Sequence, residues 1–213
     1  MAVNAAEQRT FRHLPGYFNA RQQAELLLHI KDILEIAPLF QPVMPRTGKA
    51  FSVRMSNCGP LGWVSDKERG YRYQPTHPVT EEAWPAMPKL LLDLWLREAR
   101  YPAPPEACLI NLYQEGAKMG AHQDRDEADF SAPVVSVSLG DAAVFHVGGR
   151  KRTDPKVRVT LKSGDVLLLE GESRLAYHGI DRVIAGSSEL LARCGFAEGG
   201  RMNLTLRRVT GVG

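Results

Sequence analysis

The hydrophobic pattern of the N-terminal half is helical. After Asn19, apolar residues recur three and four apart until the chain reaches Pro38. They are Leu26, Leu27, Ile30, Ile33 and Leu34. Such spacing puts them on one face and predicts an amphipathic helix that packs against a sheet. Asn19, with Gln22 three residues later, is typical of an N-cap. A second helix is predicted over residues 85–100, with Leu91, Leu94 and Trp95 on its apolar side.

From residue 107 onward the pattern becomes that of short strands. Apolar or alternating segments are separated by Gly, Pro, Asp or Ser. They span residues 107–113, 134–139, 143–147, 157–161, 166–169, 175–180 and 202–208. Several short strands at this spacing indicate a sandwich or a jelly roll, not alternating βαβ units. The sequence therefore predicts one mixed α/β (α+β) domain over residues 1–213, with helices packed outside a core of two sheets.

Composition narrows the class of protein. The 213 residues include 44% hydrophobic residues, which is ordinary for a globular chain, and the net charge of +3 fits an anionic partner without requiring one. Cys58, Cys108 and Cys194 form no Cys-x-x-Cys pair, which favours reduced thiols in a cytoplasmic protein over a zinc site. No apolar run follows Met1 or approaches the length of a membrane span, so we expect neither secretion nor membrane insertion. We also expect a monomer, since no interface pattern is evident.

Residues 40–80 differ in character from the rest of the chain. They are rich in Gly and Pro and interleave cations with aromatic rings. The cations are Arg46, Lys49, Arg54, Lys67, Arg69 and Arg72, and the rings are Phe51, Trp63, Tyr71 and Tyr73. Cations can meet phosphates and rings can stack on bases, as single-stranded nucleic acid requires. The same pattern arises when the rings fill the core and the charges are solvated at the surface. Taken alone, this segment favours that structural interpretation over nucleic-acid binding by about two to one.

A candidate metal site centres on His122 and Asp124. In an extended segment, side chains two residues apart leave the same face, so both can reach one divalent ion. The plausible third ligands are His146 and His178, which lie in the strand-rich half. His178 ends a predicted strand, and the glycine that follows permits a close approach. Two histidines and one carboxylate form a facial set that suits Fe(II).

The last predicted strand carries a polar face. Alternation places Met202, Leu204 and Leu206 on one side. The other side carries Arg201, Asn203, Thr205 and Arg207. A polar face of this kind normally meets water. Two guanidinium groups can also grip a small dicarboxylate, because Arg pairs with carboxylates through two parallel hydrogen bonds. The alternation alone leaves both interpretations open.

Together these motifs resemble the AlkB family of iron(II)- and 2-oxoglutarate-dependent dioxygenases. Their order is Asn111-x-Tyr113, His122-x-Asp124, His178, then Arg201-x-Asn203-x-Thr205-x-Arg207. Further similarity lies in residues 55–59, 61–63, 84–88, 107–111, 133–139 and 171–174, so the resemblance covers roughly residues 40–207. It implies a double-stranded β-helix (jelly-roll, cupin-like) core over about residues 107–208. It also implies flanking N-terminal helices and a nucleotide-recognition lid over about residues 40–80.

The resemblance further implies a role for each motif residue. The implied ligands of Fe(2+) are His122, Asp124 and His178. The implied contacts of 2-oxoglutarate are Asn111, Tyr113, Arg201, Asn203 and Arg207. The implied substrate contacts are Trp63, Tyr71, Tyr73, Asp126 and Arg152. The expected reaction consumes O2 and 2-oxoglutarate and removes the methyl group of 1-methyladenine or 3-methylcytosine in single-stranded DNA or RNA. Glu127 receives no role.

Two alternatives from other classes stay open. The same scaffold can hydroxylate a protein, a lipid or a small molecule, which a site too narrow for a base would favour. A non-enzymatic β-sandwich binding module is the other, and it requires that the three implied iron ligands do not converge. The turn between Trp63 and Tyr71 is one residue longer than in the bacterial prototype. Preference between DNA and RNA and the range of lesions, including etheno adducts, are therefore open.

Overall fold

The computed structural model describes residues 11–212, and short strands dominate it. The strands are β1 Arg12–Leu14, β2 Arg54–Cys58, β3 Gly62–Asp66, β4 Gly70–Gln74, β5 Ala107–Tyr113, β6 Met119–His122, β7 Val134–Gly140, β8 Ala142–Val147, β9 Val157–Leu161, β10 Val166–Leu169, β11 His178–Ile184 and β12 Arg201–Arg207. The helices are α1 Ala20–Ile36, α2 Lys89–Glu98 and the short α3 Leu190–Arg193. Within residues 11–212 no helix is both long and apolar enough to cross a membrane.

Ten of these strands form two antiparallel sheets. The six-stranded sheet has the order β1-β10-β7-β12-β5-β2, and the four-stranded sheet has the order β6-β11-β8-β9. Strands β3 and β4 pair only with each other, and we call them the lid hairpin. Strand neighbours such as β12 and β5 are far apart in sequence, as expected for a jelly roll rather than a meander. The predicted fold class is confirmed.

The six-stranded sheet is buried on both faces. Because side chains of a strand alternate between faces, β5 contributes to two cores. Ile110 and Leu112 pack with α1 and α2 on the outer face, whereas Leu109 and Tyr113 point towards the four-stranded sheet. The helices thus cover one side of the large sheet, as predicted, and the small sheet covers the other.

Helix α1 has the predicted N-cap. The Asn19 side chain accepts a hydrogen bond from Gln22 N (3.0 Å), and Asn19 N donates to the Gln22 side chain (3.1 Å). We expect Asn19→Ala to lower the free energy of unfolding by about 1 kcal/mol, because the first turn loses an acceptor. Urea denaturation measures this change. Glu25→Ala on the exposed side of the same helix is the control, and an equal loss there would contradict the capping role.

The second helix is shorter than predicted over residues 85–100. It comprises only Lys89–Glu98. Pro85 and Pro88 hold the preceding residues in extended geometry, so the helix begins only after Pro88. At the other end, Arg100 adopts a positive φ of 50° that a helix cannot continue through.

The strand predicted over residues 175–180 is also wrong in its extent. Gly171–Leu175 forms a 3-10 turn, and the strand begins at His178 and continues to Ile184. Ala176 and the turn place His178 at the first position of β11 instead of in its interior. The consequence is functional, because the start of β11 pairs with the end of β6, where His178 lies opposite His122.

Candidate iron and 2-oxoglutarate site

A cavity of about 530 Å³ lies between the two sheets, beneath the lid hairpin. Ligand pockets of small molecules and cofactors are typically of this size. The polar face of β12 lines it with Arg201, Asn203, Thr205 and Arg207. All four side chains belong to residues that are at most 9% exposed. The polar face of the last strand therefore meets an internal cavity instead of bulk water.

His122, Asp124 and His178 converge on one side of this cavity. Each offers a ligand atom, and these atoms lie within 4.8 Å of one another. His122 Nε2 is 3.6 Å from Asp124 Oδ1, and His178 Nε2 is 3.6 Å from Asp124 Oδ2. Atoms at this separation can share one ion at bond lengths of about 2.0–2.2 Å. The set is two histidines and one carboxylate, which suits Fe(II).

Backbone hydrogen bonds hold both imidazoles in the orientation that metal binding needs. His122 Nδ1 lies 2.9 Å from Gly120 O, and His178 Nδ1 lies 3.0 Å from Ala176 O. A carbonyl only accepts, so each Nδ1 carries the proton and each Nε2 presents a lone pair. Burial, followed by the neighbouring His122, lowers the pKa of His178 to about 4, which keeps this imidazole neutral.

The carboxylate of Asp124 is fixed by a guanidinium. Arg207 Nη2 donates to Asp124 Oδ1 over 2.7 Å, and both side chains are buried. Burial is the largest single influence on Asp124 and opposes its ionisation, but Arg207 together with the other groups around the carboxyl outweighs burial, so the pKa of the carboxyl lies below its ordinary range. Asp124 Oδ2 has no hydrogen-bond partner among the described residues. The carboxylate is thus ionised and has a free oxygen beside the two imidazoles.

Arg201 is a buried cation without a carboxylate partner in residues 11–212. It is 1% exposed, and its one side-chain hydrogen bond runs from Nη2 to Ser138 Oγ (2.9 Å). Its Nε and Nη1, like Asn111 Oδ1, lack a partner in that part of the chain. Burial lowers the pKa of Arg201 to about 10, so it remains charged at neutral pH. An unpaired guanidinium in a cavity fits the terminal carboxylate of 2-oxoglutarate.

The remaining implied 2-oxoglutarate contacts lie in the same cavity. Asn203 Nδ2 donates to Val137 O (2.9 Å), and its oxygen accepts from Thr205 Oγ1 (2.8 Å), so the amide is fixed. Burial raises the pKa of Tyr113 to about 12, which keeps its hydroxyl protonated as a donor. Asn111 lies directly opposite Asn203, and Tyr113 lies opposite Arg201, across the β5–β12 pairing.

The lid hairpin covers the cavity with aromatic rings. Trp63 and Tyr71 stack with ring centroids 5.5 Å apart and planes 21° apart. Trp63 Nε1 donates to Asp126 Oδ2 over 2.8 Å. Trp63, Tyr71, Asp126 and Arg152 all line the cavity. Tyr73 does not, because its hydroxyl points beneath the hairpin towards Glu127 and Arg207.

Two buried residues received no role from the sequence. Glu127 accepts hydrogen bonds from Tyr73, Arg174 and Arg207. Arg174 also donates to the backbone carbonyl of Asp124 (2.9 Å). The only sequence signal was position, since Glu127 follows the candidate ligand segment and Arg174 precedes His178. Their partners are 42 or more residues away in sequence, so spacing alone could not identify the contacts.

Comparison with known proteins defines the class that this fold and site suggest. The sequence matches the 2OG-Fe(II) oxygenase superfamily over residues 10–207, so the chain belongs to that superfamily. It is 50% identical over 194 residues to an alpha-ketoglutarate-dependent dioxygenase AlkB homolog of Caulobacter vibrioides, covering 91% of this chain and 85% of the relative. It is 47% identical over 195 residues to the alpha-ketoglutarate-dependent dioxygenase AlkB of Escherichia coli, covering 90% and 86%.

A solved structure agrees with these relationships. The structure of OsALKBH1 superposes with a TM-score of 0.75 at 29% identity, covering 93% of this chain and 98% of that one. The AlkB-family resemblance is therefore confirmed. The protein is an Fe(II)- and 2-oxoglutarate-dependent dioxygenase, and its cofactor and cosubstrates are Fe(2+), 2-oxoglutarate and O2.

Proposed function

We propose that this dioxygenase demethylates alkylated bases in single-stranded nucleic acid and so directly reverses alkylation damage. One observation carries the proposal. The stacked rings of Trp63 and Tyr71 lie over the same cavity that holds the His122–Asp124–His178 group. A flat base that enters this cavity meets a ring on one side and the metal-competent group on the other. Base recognition by stacking is the usual mode for an extruded nucleotide.

In this proposal His122, Asp124 and His178 hold the iron. Iron and 2-oxoglutarate bound there would supply oxidation of a C–H bond by O2, with succinate and CO2 as the products of the cosubstrate. The protein contributes orientation and exclusion of water. Hydroxylation of the N-methyl carbon gives an N-hydroxymethyl group, which leaves as formaldehyde. The hydroxyl proton passes to solvent as its oxygen forms the C=O bond of formaldehyde, and the ring nitrogen keeps the electron pair of the broken N–C bond, so the base is restored.

We further propose that Arg201 and Arg207 bind the two ends of 2-oxoglutarate. Arg201 has donors without partners, which suits the terminal carboxylate. Arg207 already contacts Asp124, so it lies beside the carboxylate that would approach the iron. Asn111, Tyr113 and Asn203 complete the polar wall. These assignments place the cosubstrate along β12, with the lid side of the cavity free for the substrate.

Asp126 is the proposed reader of the base. Its Oδ2 accepts from Trp63 Nε1, and its other oxygen can accept from the exocyclic amine of 1-methyladenine or 3-methylcytosine. Both lesions are cationic, so an adjacent carboxylate favours them.

Cations beside the cavity can contact phosphates. Arg152 lines the cavity, and its guanidinium lies 5.1 Å from the centre of the Tyr177 ring.

The proposal is tested by substrate competition. Reconstituted enzyme is given 1-methyladenine in single-stranded DNA, the same lesion in RNA, and a peptide that contains methyl-lysine. Loss of the methyl group is followed by mass spectrometry. We expect demethylation of the oligonucleotides and none of the peptide. Turnover of the peptide alone would support the rival function of a protein hydroxylase and would overturn this one. We also propose that the protein is a monomer in the cytoplasm. Sedimentation of the purified chain measures its oligomeric state, and cell fractionation measures its location.

Trp63→Ala should weaken binding of a single-stranded oligonucleotide by about 1–3 kcal/mol, because a base loses its stacking partner. Fluorescence anisotropy measures this affinity. Trp63→Phe keeps a ring but removes the N–H that Asp126 accepts, so it should retain most of the binding. Trp95→Phe, on the buried side of α2, is the control for general effects of losing an indole. Unchanged affinity in Trp63→Ala would contradict the stacking role.

A further inference from the structure

Glu127 links three regions of the site through one buried carboxylate. Its side chain is fully buried, and both of its oxygens are used. Oε1 accepts from the Tyr73 hydroxyl (2.5 Å) and from Arg207 Nη1 (3.0 Å). Oε2 accepts from Arg174 Nη2 (3.0 Å). A buried carboxylate is retained only where such partners compensate the loss of water.

The partners of Glu127 lie in two different parts of the site, the lid hairpin and the surroundings of the candidate iron ligands. Tyr73 lies on β4 of the lid hairpin, and its hydroxyl also accepts from Arg207 Nη1 (3.0 Å). Arg207, at the end of β12, donates its other terminal nitrogen to Asp124. A continuous path of hydrogen bonds therefore runs from the lid through Glu127 and Arg207 to a candidate iron ligand.

The charges explain why a carboxylate is needed at this point. Asp124 and Glu127 balance Arg174 and Arg207 in the protein without ligands. Once Asp124 shares its charge with iron, Glu127 remains as the fixed anion that holds Arg207 in place. Arg174 is fixed independently, since it also donates to Ala132 O and Asp124 O. Within residues 11–212, the side chains of Arg207 and Tyr73 hydrogen-bond only to each other, to Glu127 and, for Arg207, to Asp124.

We infer that Glu127 is a positioning residue that couples the lid hairpin to the iron and 2-oxoglutarate centre. It holds Arg207 at the angle from which the guanidinium can contact the cosubstrate while still touching Asp124. The same oxygen, Glu127 Oε1, accepts from the Tyr73 hydroxyl, so the lid hairpin is held against the site when Arg207 is in place. Occupation of the centre and closure of the lid are therefore linked. This inference rests on the dioxygenase class and not on the nucleic-acid substrate.

Trypsin cleavage of the hairpin turn reports the linkage without any turnover. Lys67 and Arg69 are exposed in that turn. The experiment uses the whole chain with Mn(II), which is redox-inactive here, with and without 2-oxoglutarate. In the wild type, Mn(II) plus 2-oxoglutarate should slow cleavage by about tenfold, as expected for tightening a charge-assisted contact. In Glu127→Gln and in Tyr73→Phe, addition of Mn(II) and 2-oxoglutarate should leave the cleavage rate nearly unchanged.

The two variants separate the two ends of the path. Tyr73→Phe removes only the lid hydroxyl, so it should raise the KM for 2-oxoglutarate less than Glu127→Gln does, because Glu127 still accepts from Arg207 Nη1. Glu127→Gln should raise that KM by about tenfold, because Arg207 loses an anionic anchor. Glu98→Gln on α2, which loses an ion pair to Arg12 of β1, is the matched control and should behave as the wild type.

Three results would overturn the inference. One is the absence of protection in the wild type. Another is equal protection in the wild type, Glu127→Gln and Tyr73→Phe. The third is a Glu127→Gln variant with reduced thermal stability but an unchanged KM, which would make Glu127 a structural brace for Arg174. If Glu127→Gln fails to fold, the protection of Tyr73→Phe decides between linkage and brace.

Discussion

Replacing Arg201 with methionine should raise the KM for 2-oxoglutarate by about 100-fold, because the terminal carboxylate loses a bidentate, charge-assisted pair. The same change should stabilise the protein in the absence of ligands by about 1 kcal/mol or more, since a buried cation without a counterion is replaced by an apolar side chain of similar length. Binding of 2-oxoglutarate weakens while stability without ligands rises, because the charge of Arg201 binds the cosubstrate and does not stabilise the fold.

Arg174→Met is the matched control for this prediction. Arg174 is also nearly fully buried, but it pairs with Glu127. Its replacement breaks a buried ion pair and leaves Glu127 Oε2 without its cation, which should cost about 3–5 kcal/mol of unfolding free energy. Initial rates at varied 2-oxoglutarate and urea denaturation without ligands give both quantities. A marked loss of stability in Arg201→Met, with an unchanged KM, would contradict the role of Arg201.

Replacing His178 with alanine should abolish turnover and weaken metal binding by more than about 100-fold. Loss of a residue that only hydrogen-bonds to a metal ligand costs up to about 100-fold, and loss of a ligand itself should cost more. His178 is one of three side chains in the candidate site and offers the lone pair of its Nε2. Two remaining ligands cannot form the facial set that holds Fe(II). Titration with Mn(II) measures the affinity, and release of succinate measures turnover.

His146→Gln is the control for His178→Ala. His146 is 3% exposed and lies on β8, opposite Gly179 of β11. Its Nδ1 contacts Asp181 (2.7 Å) instead of the metal group. The sequence alone left His146 open as a third ligand, so the pair of variants decides between the two histidines. Loss of metal binding in His146→Gln, or its retention in His178→Ala, would contradict the proposed ligand set.

The sequence predicted those parts of the fold that depend on local periodicity. The helical spacing of apolar residues after Asn19 correctly predicted α1, with Asn19 as its N-cap. Strict alternation in β12 correctly separated its apolar face from the face with Arg201 and Arg207. What alternation could not tell was whether the polar face meets water or a cavity. That depends on the pairing of β12 with β5 and β7, which joins segments more than 60 residues apart.

The lid and its buried contacts were the hardest to predict. Its Gly- and Pro-rich sequence showed cations and rings but no clear strand period, so the β3–β4 hairpin was not predicted. Tyr73 looked like a base-stacking ring, yet its hydroxyl lies in a network with Glu127 and Arg207. Side chains whose roles come from distant partners carry no local signal. The AlkB resemblance supplied the roles of the motif residues, but it did not supply one for Glu127.

In the proposed function, oxidation of 2-oxoglutarate in this cavity is coupled to demethylation of a base. The most direct measurement quantifies succinate, formaldehyde and restored adenine in one reaction. Enzyme is loaded with Fe(II) and 2-oxoglutarate without oxygen, mixed with single-stranded DNA that contains 1-methyladenine, and then exposed to O2. We expect equal amounts of all three products and none from His122→Ala. Succinate at the same rate with intact 1-methyladenine would contradict the proposed function.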